Sequence, residues 1–214
     1  MGPKFSIEDQ ELLKQIMVHR RDIRGNRFTP EQISDDDLQQ VIDAAFLAPS
    51  VGYSQPWKIV VIQSPATRAV ILENFDRANA SAENQFHGQR KQVYSKLKLE
   101  GIKECSHLLA VYYREPIGPV LGQTTMKEAG PYSVVCAIQN MWLMARAKNI
   151  GLGWVSILDS QDLNEQLQVP AGFKLVALLC LGYVDQFPEE PELKTLGWEQ
   201  ERPLSEMISF ETFS

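Results

Sequence analysis

Three arginines and one aspartate stand within five consecutive residues near the start of the chain. The segment is Arg20-Arg21-Asp22-Ile23-Arg24. Guanidinium groups donate charge-assisted hydrogen bonds to phosphate oxygens, and each such bond contributes about 1.5–3 kcal/mol. The segment can therefore clamp a phosphate and the polar ring edge of a ligand. The same pattern is also typical of a solvated helix end whose charges neutralise one another, where exposed ion pairs contribute little.

Two further segments combine small residues with polar groups. Residues 49–57 read PSVGYSQPW, a loop that can present hydroxyls and amides to a ligand, or one in which Trp57 simply anchors the next strand. Residues 151–158 read GLGWVSIL, where the glycines permit close backbone approach. Ser156 places a hydroxyl within what reads as an apolar strand. The alternative is a buried serine that is hydrogen-bonded to backbone.

Several common functional devices are missing from the sequence. No G-x-G-x-x-G follows a strand, and neither a phosphate-binding G-x-x-x-x-G-K-[ST] nor a G-x-S-x-G elbow occurs. The three histidines show no metal-ligand spacing and no C-x-x-C pair exists, so we expect no metal site. The net charge of −6 argues against a nucleic-acid partner.

Helices must position these segments, and their capping residues can be read directly. Ser6 with Asp9 forms a capping-box pattern, and Ser34 precedes three aspartates that favour a helix start. Ser64 before Pro65 is typical of a helix N-cap with proline at the first position. The apolar spacing predicts further helices over 93–103, over 132–148 and from position 160 onward, while the polar stretch 74–92 is expected to be partly exposed.

Strands are fewer than helices in this pattern. Apolar runs predict strands at 58–62, 108–113, 154–158 and 175–184, with the last as a central strand and 115–130 as a long loop. Strands that alternate with helices indicate an α/β or α+β fold, in which helices cover the sheet. The length of 214 residues predicts one domain, 1–214.

The last thirty residues differ in character from the rest. Residues 185–214 contain three prolines and several acids but no strong hydrophobic period. Trp198, Phe210 and Phe213 cannot form a core by themselves in so short a segment. We therefore expect 185–214 to be an arm that packs its aromatic side chains on another surface, such as a second subunit.

The cysteines and the apolar runs bear on location. Cys105, Cys136 and Cys180 are odd in number and lie in apolar stretches, which favours buried free thiols in a reducing compartment and so the cytoplasm. The longest apolar run, 175–181, is far shorter than the ~20 residues that a membrane span needs. The first fifteen residues lack the apolar core of a secretory signal.

Together, the three polar segments resemble the nitroreductase-like FMN-binding family. The order is R-x-[SD]-x-R, then P-S-x-x-x-x-Q-P-W, then a G-x-G strand, and the resemblance extends over about residues 15–205. Residues 97–102 and 132–140 add to it. Its most specific parts are Asp22 and Ser156, since general nitroreductases usually carry serine at position 22. These two residues resemble a branch of the family that consumes its flavin.

The resemblance implies a fold and an activity. The fold would be nitroreductase-like, with a mixed sheet flanked by helices and the arm 185–214 extending onto the partner of a homodimer. Reduced FMN would be the substrate, and dioxygen the co-substrate. The products would be erythrose 4-phosphate and 5,6-dimethylbenzimidazole, the lower ligand of cobalamin. No metal is needed, because reduced flavin reacts with dioxygen itself.

The resemblance also assigns ligand contacts. Arg20, Arg21 and Arg24 would hold the FMN phosphate and the polar ring edge, with Ile23 between them in the binding segment. Arg202 matches a further phosphate contact. A separate flavin reductase is the expected source of reduced FMN.

The remaining site residues carried over from the family have chemical roles. Asp22 would act as general base and acid near the ribityl chain, an effect typically worth about 10²–10⁴-fold in rate. Ser156 would orient reaction intermediates by hydrogen bonding, and it and the backbone near Leu158 would lie against the reactive ring nitrogen. Ser50 would contact the flavin, from the other subunit.

The sequence departs from the family pattern at two places. Ser106 stands where a proline is expected, and Lys127 with Gly130 and Pro131 alters the loop that precedes Tyr132.

One alternative function is an NAD(P)H-dependent nitro or flavin reductase that recycles FMN. The other is a non-enzymatic flavin-binding protein. Asp22 separates these alternatives, since a reductase has little need for an acid there.

Overall fold

Four strands form one sheet in the computed structural model, which describes residues 2–212. The strands are β1 (Trp57–Ile62), β2 (His107–Arg114), β3 (Ile150–Val155) and β4 (Phe173–Tyr183). Their order is β1-β2-β4-β3, and all neighbouring strands are antiparallel. The prediction of a central strand at 175–184 is confirmed, since β4 lies between β2 and β3. It is buried through its middle, as an interior strand must be.

Helices cover both faces of this sheet. Within residues 2–212 there are seven α-helices and three single-turn 3₁₀ helices, the latter at Gly25–Arg27, Val51–Tyr53 and Leu204–Glu206. The α-helices are α1 (Ile7–His19), α2 (Asp35–Phe46), α3 (Pro65–Glu83), α4 (Gly88–Tyr94), α5 (Ala129–Ala147), α6 (Ser160–Gln166) and α7 (Glu192–Thr195). The excess of helix over strand is as expected from the sequence.

The predicted helix starts are confirmed by their caps. Ser6 accepts a hydrogen bond from the backbone of Asp9, whose carboxylate in turn accepts from the backbone of Ser6. Ser34 caps α2 in the same way, and Ser64 caps α3 with Pro65 as its first residue. Each side-chain oxygen pairs an N–H group that the helix itself cannot satisfy. These signals are local, which is why they can be read from sequence.

The helix predicted over 93–103 is wrong. The chain leaves α4 at Tyr94, and the carbonyls that a continuing helix would use are bonded elsewhere. The Glu100 carbonyl accepts from the Gly25 N–H at 2.9 Å, and the Leu99 carbonyl accepts from Arg24 Nη1 at 3.2 Å. The expectation that 74–92 is partly exposed is confirmed, since residues 76–92 are exposed or half-buried. Most of that stretch is helical, and Asn74 is fully buried.

The strand predicted over 154–158 lies earlier in the chain. β3 contains both glycines, and Ser156 follows the strand as an exposed residue rather than a buried one. The reason is that Asp22 forms a parallel bridge with Leu152, and a Cβ at position 153 would lie 2.0 Å from the Ile23 carbonyl oxygen. This isolated bridge is parallel, whereas the neighbouring strands of the sheet are all antiparallel.

Each face of the sheet carries a hydrophobic core. α2 and α5 cover one face, and their buried residues include Val41, Ala45, Val134, Ile138 and Met141. The other face packs against α3 and α6, with a core that includes Ile71, Phe75, Leu108, Leu163 and Leu178. All three cysteines are free thiols. Cys105 and Cys180 lie in the second core, whereas Cys136 is exposed on α5, so the prediction that it is buried is wrong.

The C-terminal segment packs partly on its own chain. Trp198 contacts Phe86 and Tyr94 at ring-centroid distances of 5.1 and 5.9 Å, and the Arg90 guanidinium lies 4.7 Å from its ring. Phe210 is 88% exposed. Phe213 lies outside the described residues. In the part of the chain that is described, no helix is long and apolar enough to cross a bilayer.

The close seating of the arginine segment against β3 can be tested at Gly153. Alanine there would push its methyl group against the backbone of Ile23 and should cost about 1–3 kcal/mol of unfolding free energy. Gly118→Ala is the matched control, because a Cβ there meets no atom within 4 Å, and it should change stability by less than about 0.5 kcal/mol. Urea unfolding measures both. Equal effects of the two variants would contradict the seating.

Candidate functional site

The arginine segment lines a cleft of about 320 Å³. Residues 97–99 form one wall of this cleft, and the C-terminal residues Pro188 and 191–193 form another. The end of α1 completes it. The structure therefore brings Arg20, Arg21, Asp22 and Arg24 together with two stretches that are about 75 and 170 residues away in sequence.

Asp22 is held by two interactions within the cleft. Its Oδ1 accepts a hydrogen bond from the Trp154 N–H at 3.0 Å, and its Oδ2 forms an ion pair with Arg24. The side chain is 34% exposed. The surrounding protein removes enough water from the carboxyl to raise the pKa of Asp22 above its ordinary value, although Arg24 and the Trp154 N–H both oppose that shift.

Arg24 is nearly buried and is fixed by several acceptors. Its side chain is 14% exposed. Besides the ion pair with Asp22, its Nη1 donates to the carbonyls of Leu99 at 3.2 Å and Trp154 at 3.1 Å. The guanidinium thus joins three separate segments at one point. It contributes positive charge to the cleft while its position is set by the fold.

Arg20 and Arg21 are arranged differently from Arg24. Arg21 Nη1 donates to the carbonyls of Val18 and Arg20, both at 2.7 Å, and Nη2 donates to the carbonyl of Glu189. Its buried Nε has no hydrogen-bond partner within residues 2–212. The Arg20 guanidinium lies 4.6 Å from the Trp142 ring, a cation–π contact that leaves its hydrogen-bond donors available.

The charge balance of the cleft favours an anion. Arginines 20, 21 and 24 and Lys98 line it, against the two carboxylates of Asp22 and Glu192. Lys98 is also paired with Glu100 and Glu104. A cationic excess with planar guanidinium donors, one of which has a buried unpaired N–H, fits the phosphate of FMN. Within residues 2–212, no group of three or more His, Cys, Asp or Glu side chains could hold a metal ion.

Five predicted site residues do not line this cleft. Ile23 is buried, and its N–H donates to the Leu152 carbonyl at 3.1 Å. Ser156 is exposed just beyond β3, and Leu158 is half-buried two residues later. Ser50 begins the 3₁₀ turn at Val51–Tyr53, where its Oγ accepts from the Gln55 N–H at 3.1 Å. Arg202 is exposed in the C-terminal segment. Their roles toward a flavin remain predictions.

Some residues of the cleft were not found from the sequence. Trp142, 122 residues beyond Arg20, supports its guanidinium and donates from Nε1 to the Arg21 carbonyl at 3.1 Å. No spacing rule connects these positions. Residues 97–99 were noted only as part of a motif, and their wall position depends on the Arg24 contact. A larger cavity of about 670 Å³ lies beside β1, but Lys58 is the only cation among the described residues that line it, so size alone does not identify the anion site.

Comparison with known proteins places the chain in a family. Residues 17–183 match the family model described as "Nitroreductase family". That match covers well over half of the chain and includes the arginine segment and all four strands. The chain belongs to the nitroreductase family.

Relatives within that family are similar over nearly the full chain. A protein of Rhodospirillum rubrum named 5,6-dimethylbenzimidazole synthase is 42% identical over 94% of this chain and 96% of its own length. A Rhodobacter capsulatus protein of the same name is 37% identical over 93% and 96%, respectively. The crystal structure of an iodotyrosine deiodinase bound to FMN and 3-iodo-L-tyrosine superposes with a TM-score of 0.74 at 21% identity, covering 94% of this chain and all of that one. The last likeness supports the fold.

The ionisation of Asp22 gives a testable pH dependence. A carboxyl whose folded pKa exceeds its unfolded pKa binds protons more tightly in the native state, so its contribution to stability is lost as pH rises through the folded pKa. The unfolding free energy of the wild type minus that of Asp22→Asn should therefore fall from about pH 4 to pH 8. Urea unfolding at several pH values measures this difference. An increase with pH would show that Arg24 dominates over burial.

Proposed function

We propose that this protein is a 5,6-dimethylbenzimidazole synthase, which converts reduced FMN and dioxygen to 5,6-dimethylbenzimidazole and erythrose 4-phosphate, with the pyrimidine part of the flavin ring released as a third fragment. The observation that carries the proposal is the carboxyl of Asp22, held on the Trp154 N–H inside a cleft lined by three arginines. The 42% and 37% identities to synthases of that name, over almost the whole chain, support it. Production of this cobalamin ligand follows from the same proposal.

The arginines would hold the phosphate end of the nucleotide. Arg20 and Arg21 directly follow α1, and both line the cleft. Arg21 offers a buried Nε without a partner, and Arg20 is supported from behind by Trp142. Arg24 adds charge from a fixed position. Bound reduced FMN would supply the electrons that dioxygen accepts.

Asp22 is suited to move protons near the phosphate end of the ligand. Both of its oxygens have protein partners, so the carboxyl is held in one orientation. Burial raises its pKa, which brings the group closer to the pH at which a general base and acid works best. We propose that it exchanges protons with the ribityl hydroxyls during cleavage of the chain.

Ser156 would act from the end of β3. It stands two residues after Trp154, whose N–H holds Asp22, and its hydroxyl is exposed. We propose that this hydroxyl hydrogen-bonds the flavin ring, with the Leu158 backbone beside it. Ser50 would contribute from the partner subunit, and Arg202 would add a phosphate contact from the C-terminal segment.

A direct product measurement tests the proposed function. Reduced FMN is mixed anaerobically with the protein, air is admitted, and the products are separated and identified by mass spectrometry. The expected result is 5,6-dimethylbenzimidazole formed at the expense of flavin. Quantitative recovery of oxidised FMN would contradict the proposal. Rapid turnover with added NAD(P)H would then indicate a reductase, and slow reoxidation of tightly bound FMN a binding protein.

The same reaction tests the role of Asp22. Asp22→Asn keeps the shape of the side chain but removes proton exchange, so product formation should fall by about 10²–10⁴-fold while FMN still binds. Asp43→Asn is the matched control, because Asp43 is exposed on α2 and far from the arginine segment in sequence. Undiminished product with Asp22→Asn would remove this residue from the proposed mechanism.

We also propose a homodimer in the cytoplasm that receives reduced FMN from a separate reductase. Apolar side chains on α1 and α5 are exposed, among them Leu12 at 62%, Met17 at 50% and Tyr132 at 58%. Several large apolar side chains exposed on two neighbouring helices favour a protein partner. The arm 185–214 would extend onto that partner, and the three free thiols favour a reducing compartment.

Sedimentation checks the subunit arrangement. At micromolar concentration the protein should sediment as a dimer, and Leu12→Glu should shift it toward the monomer because a charge would be buried at the interface. Glu8→Gln, an exposed and charge-removing change on the same helix, is the control and should leave the dimer intact. A wild-type monomer at these concentrations would contradict the proposal.

A further inference from the structure

We infer that Asn74 is a positioning residue for the flavin-facing segment 156–158, an inference that rests on the proposed function for the roles of Ser156 and Leu158. Asn74 lies in the middle of α3, between the arginine segment and residues 156–158 in sequence, and it is fully buried. It belongs to none of the motifs that indicated the site. Its contacts are all to the short loop and helix that follow β3.

The Asn74 side-chain amide forms two hydrogen bonds with the backbone of one residue of that loop. Its Nδ2 donates to the Asp159 carbonyl at 3.0 Å, and its Oδ1 accepts from the Asp159 N–H at 3.0 Å. A side-chain amide that pairs with both polar groups of one residue imitates the pairing of a neighbouring strand. The N–H bond fixes the peptide plane between Leu158 and Asp159, and the carbonyl bond fixes the next one.

The other end of the segment is fixed by Asp22. Its Oδ1 accepts from the Trp154 N–H, and Val155 is the last residue of β3 in register with β4. Three residues therefore span two anchors, and these are Ser156, Ile157 and Leu158. The proposed acid–base group holds one end of the span, and Asn74 holds the other.

Asparagine at position 74 costs stability through its low helix propensity and the burial of its amide, and its hydrogen bonds offset that cost. Asparagine in a helix interior is less favourable than alanine by up to about 0.7 kcal/mol. Burial of an amide without partners would cost more. The surrounding core includes Ile71, Phe75 and Leu163, so an apolar side chain would suit the environment. Asn74 is consistent with this site because its amide is fully paired, with the backbone N–H and carbonyl of Asp159 and with the Asp162 carboxylate.

Anchoring of the loop can be separated from anchoring of the helix after it. Asn74 Nδ2 also donates to Asp162 Oδ2 at 2.9 Å, and Arg77 forms an ion pair with the same oxygen. Arg77 thus ties α3 to α6 without a contact to Asp159. Arg77→Ala loosens the helix pair at the surface, whereas Asn74→Leu removes the grip on the loop.

The experiment compares these two variants with the wild type, and adds Asn74→Asp. Leucine has the same branched shape as asparagine but leaves the Asp159 N–H without the Asn74 acceptor and the Asp159 carbonyl with the Leu163 N–H alone. Aspartate keeps the acceptor for the Asp159 N–H and loses the donor to its carbonyl. It carries the test if Asn74→Leu does not fold. Circular dichroism and gel filtration select folded protein.

Four quantities are measured. Amide hydrogen exchange of Asp159 in the FMN-free protein reports the hydrogen bond from its N–H to Asn74 Oδ1. The visible spectrum and dissociation constant of bound FMN report contact with the ring and overall binding. The ratio of 5,6-dimethylbenzimidazole to recovered FMN, taken per flavin bound, reports the reaction. For Asn74→Leu we expect faster exchange, a spectrum shifted toward free FMN, and a roughly tenfold or greater fall in the product ratio, since small misplacements at a reacting centre have large effects.

Each outcome bears on the inference. We expect the Asn74 variants to bind FMN within about threefold of the wild-type affinity, because the arginine cleft would still hold the phosphate. We expect Arg77→Ala to leave the product ratio and the spectrum unchanged. Both results support the inference. Equal changes for Asn74→Leu and Arg77→Ala, or an unchanged spectrum and product ratio for the folded Asn74 variants, would overturn it. A wild type that only reoxidises FMN overturns the proposed function instead. Asn74 is then judged by the FMN spectrum and by exchange alone.

Discussion

The site depends on the seating of residues 22–24 against the backbone of β3. Ile23 donates to the Leu152 carbonyl, Asp22 accepts from the Trp154 N–H, and Arg24 donates to the Trp154 carbonyl. These bonds form because Gly153 leaves room for the Ile23 carbonyl, which a methyl group would displace. The cleft walls follow from this contact, since Arg24 and Gly25 then bind the carbonyls at 99 and 100.

The sequence predicts those parts of the molecule that are determined locally. Neighbouring residues in the sequence determine the caps at Ser6, Ser34 and Ser64, the central strand and the arginine segment. Errors arise where distant segments decide the outcome. The glycines of β3 accommodate the chain around Ile23 rather than a ligand, and residues 93–103 do not form one helix because the arginine segment uses their carbonyls.

The candidate site residues show the same division. Arg20, Arg21, Asp22 and Arg24 were found because they are adjacent in sequence, and the structure gathers them in one cleft. Trp142 and the wall at 97–99 join them only through folding. Asn74 gave no signal, because a single asparagine in a polar stretch looks like a surface residue until its partner, the Asp159 backbone, is in place.

The first helix links the anion cleft to the molecular surface. α1 has no buried residue, yet its last turn is tied down at two points: Arg21 donates to the Val18 carbonyl, and Arg146 donates to the His19 carbonyl. Whatever covers the apolar side of α1 therefore also stabilises the turn that carries Arg20 and Arg21. If the proposed dimer covers this side of α1, subunit association and nucleotide affinity reinforce each other by thermodynamic linkage. Dilution of the protein would then weaken its hold on the nucleotide.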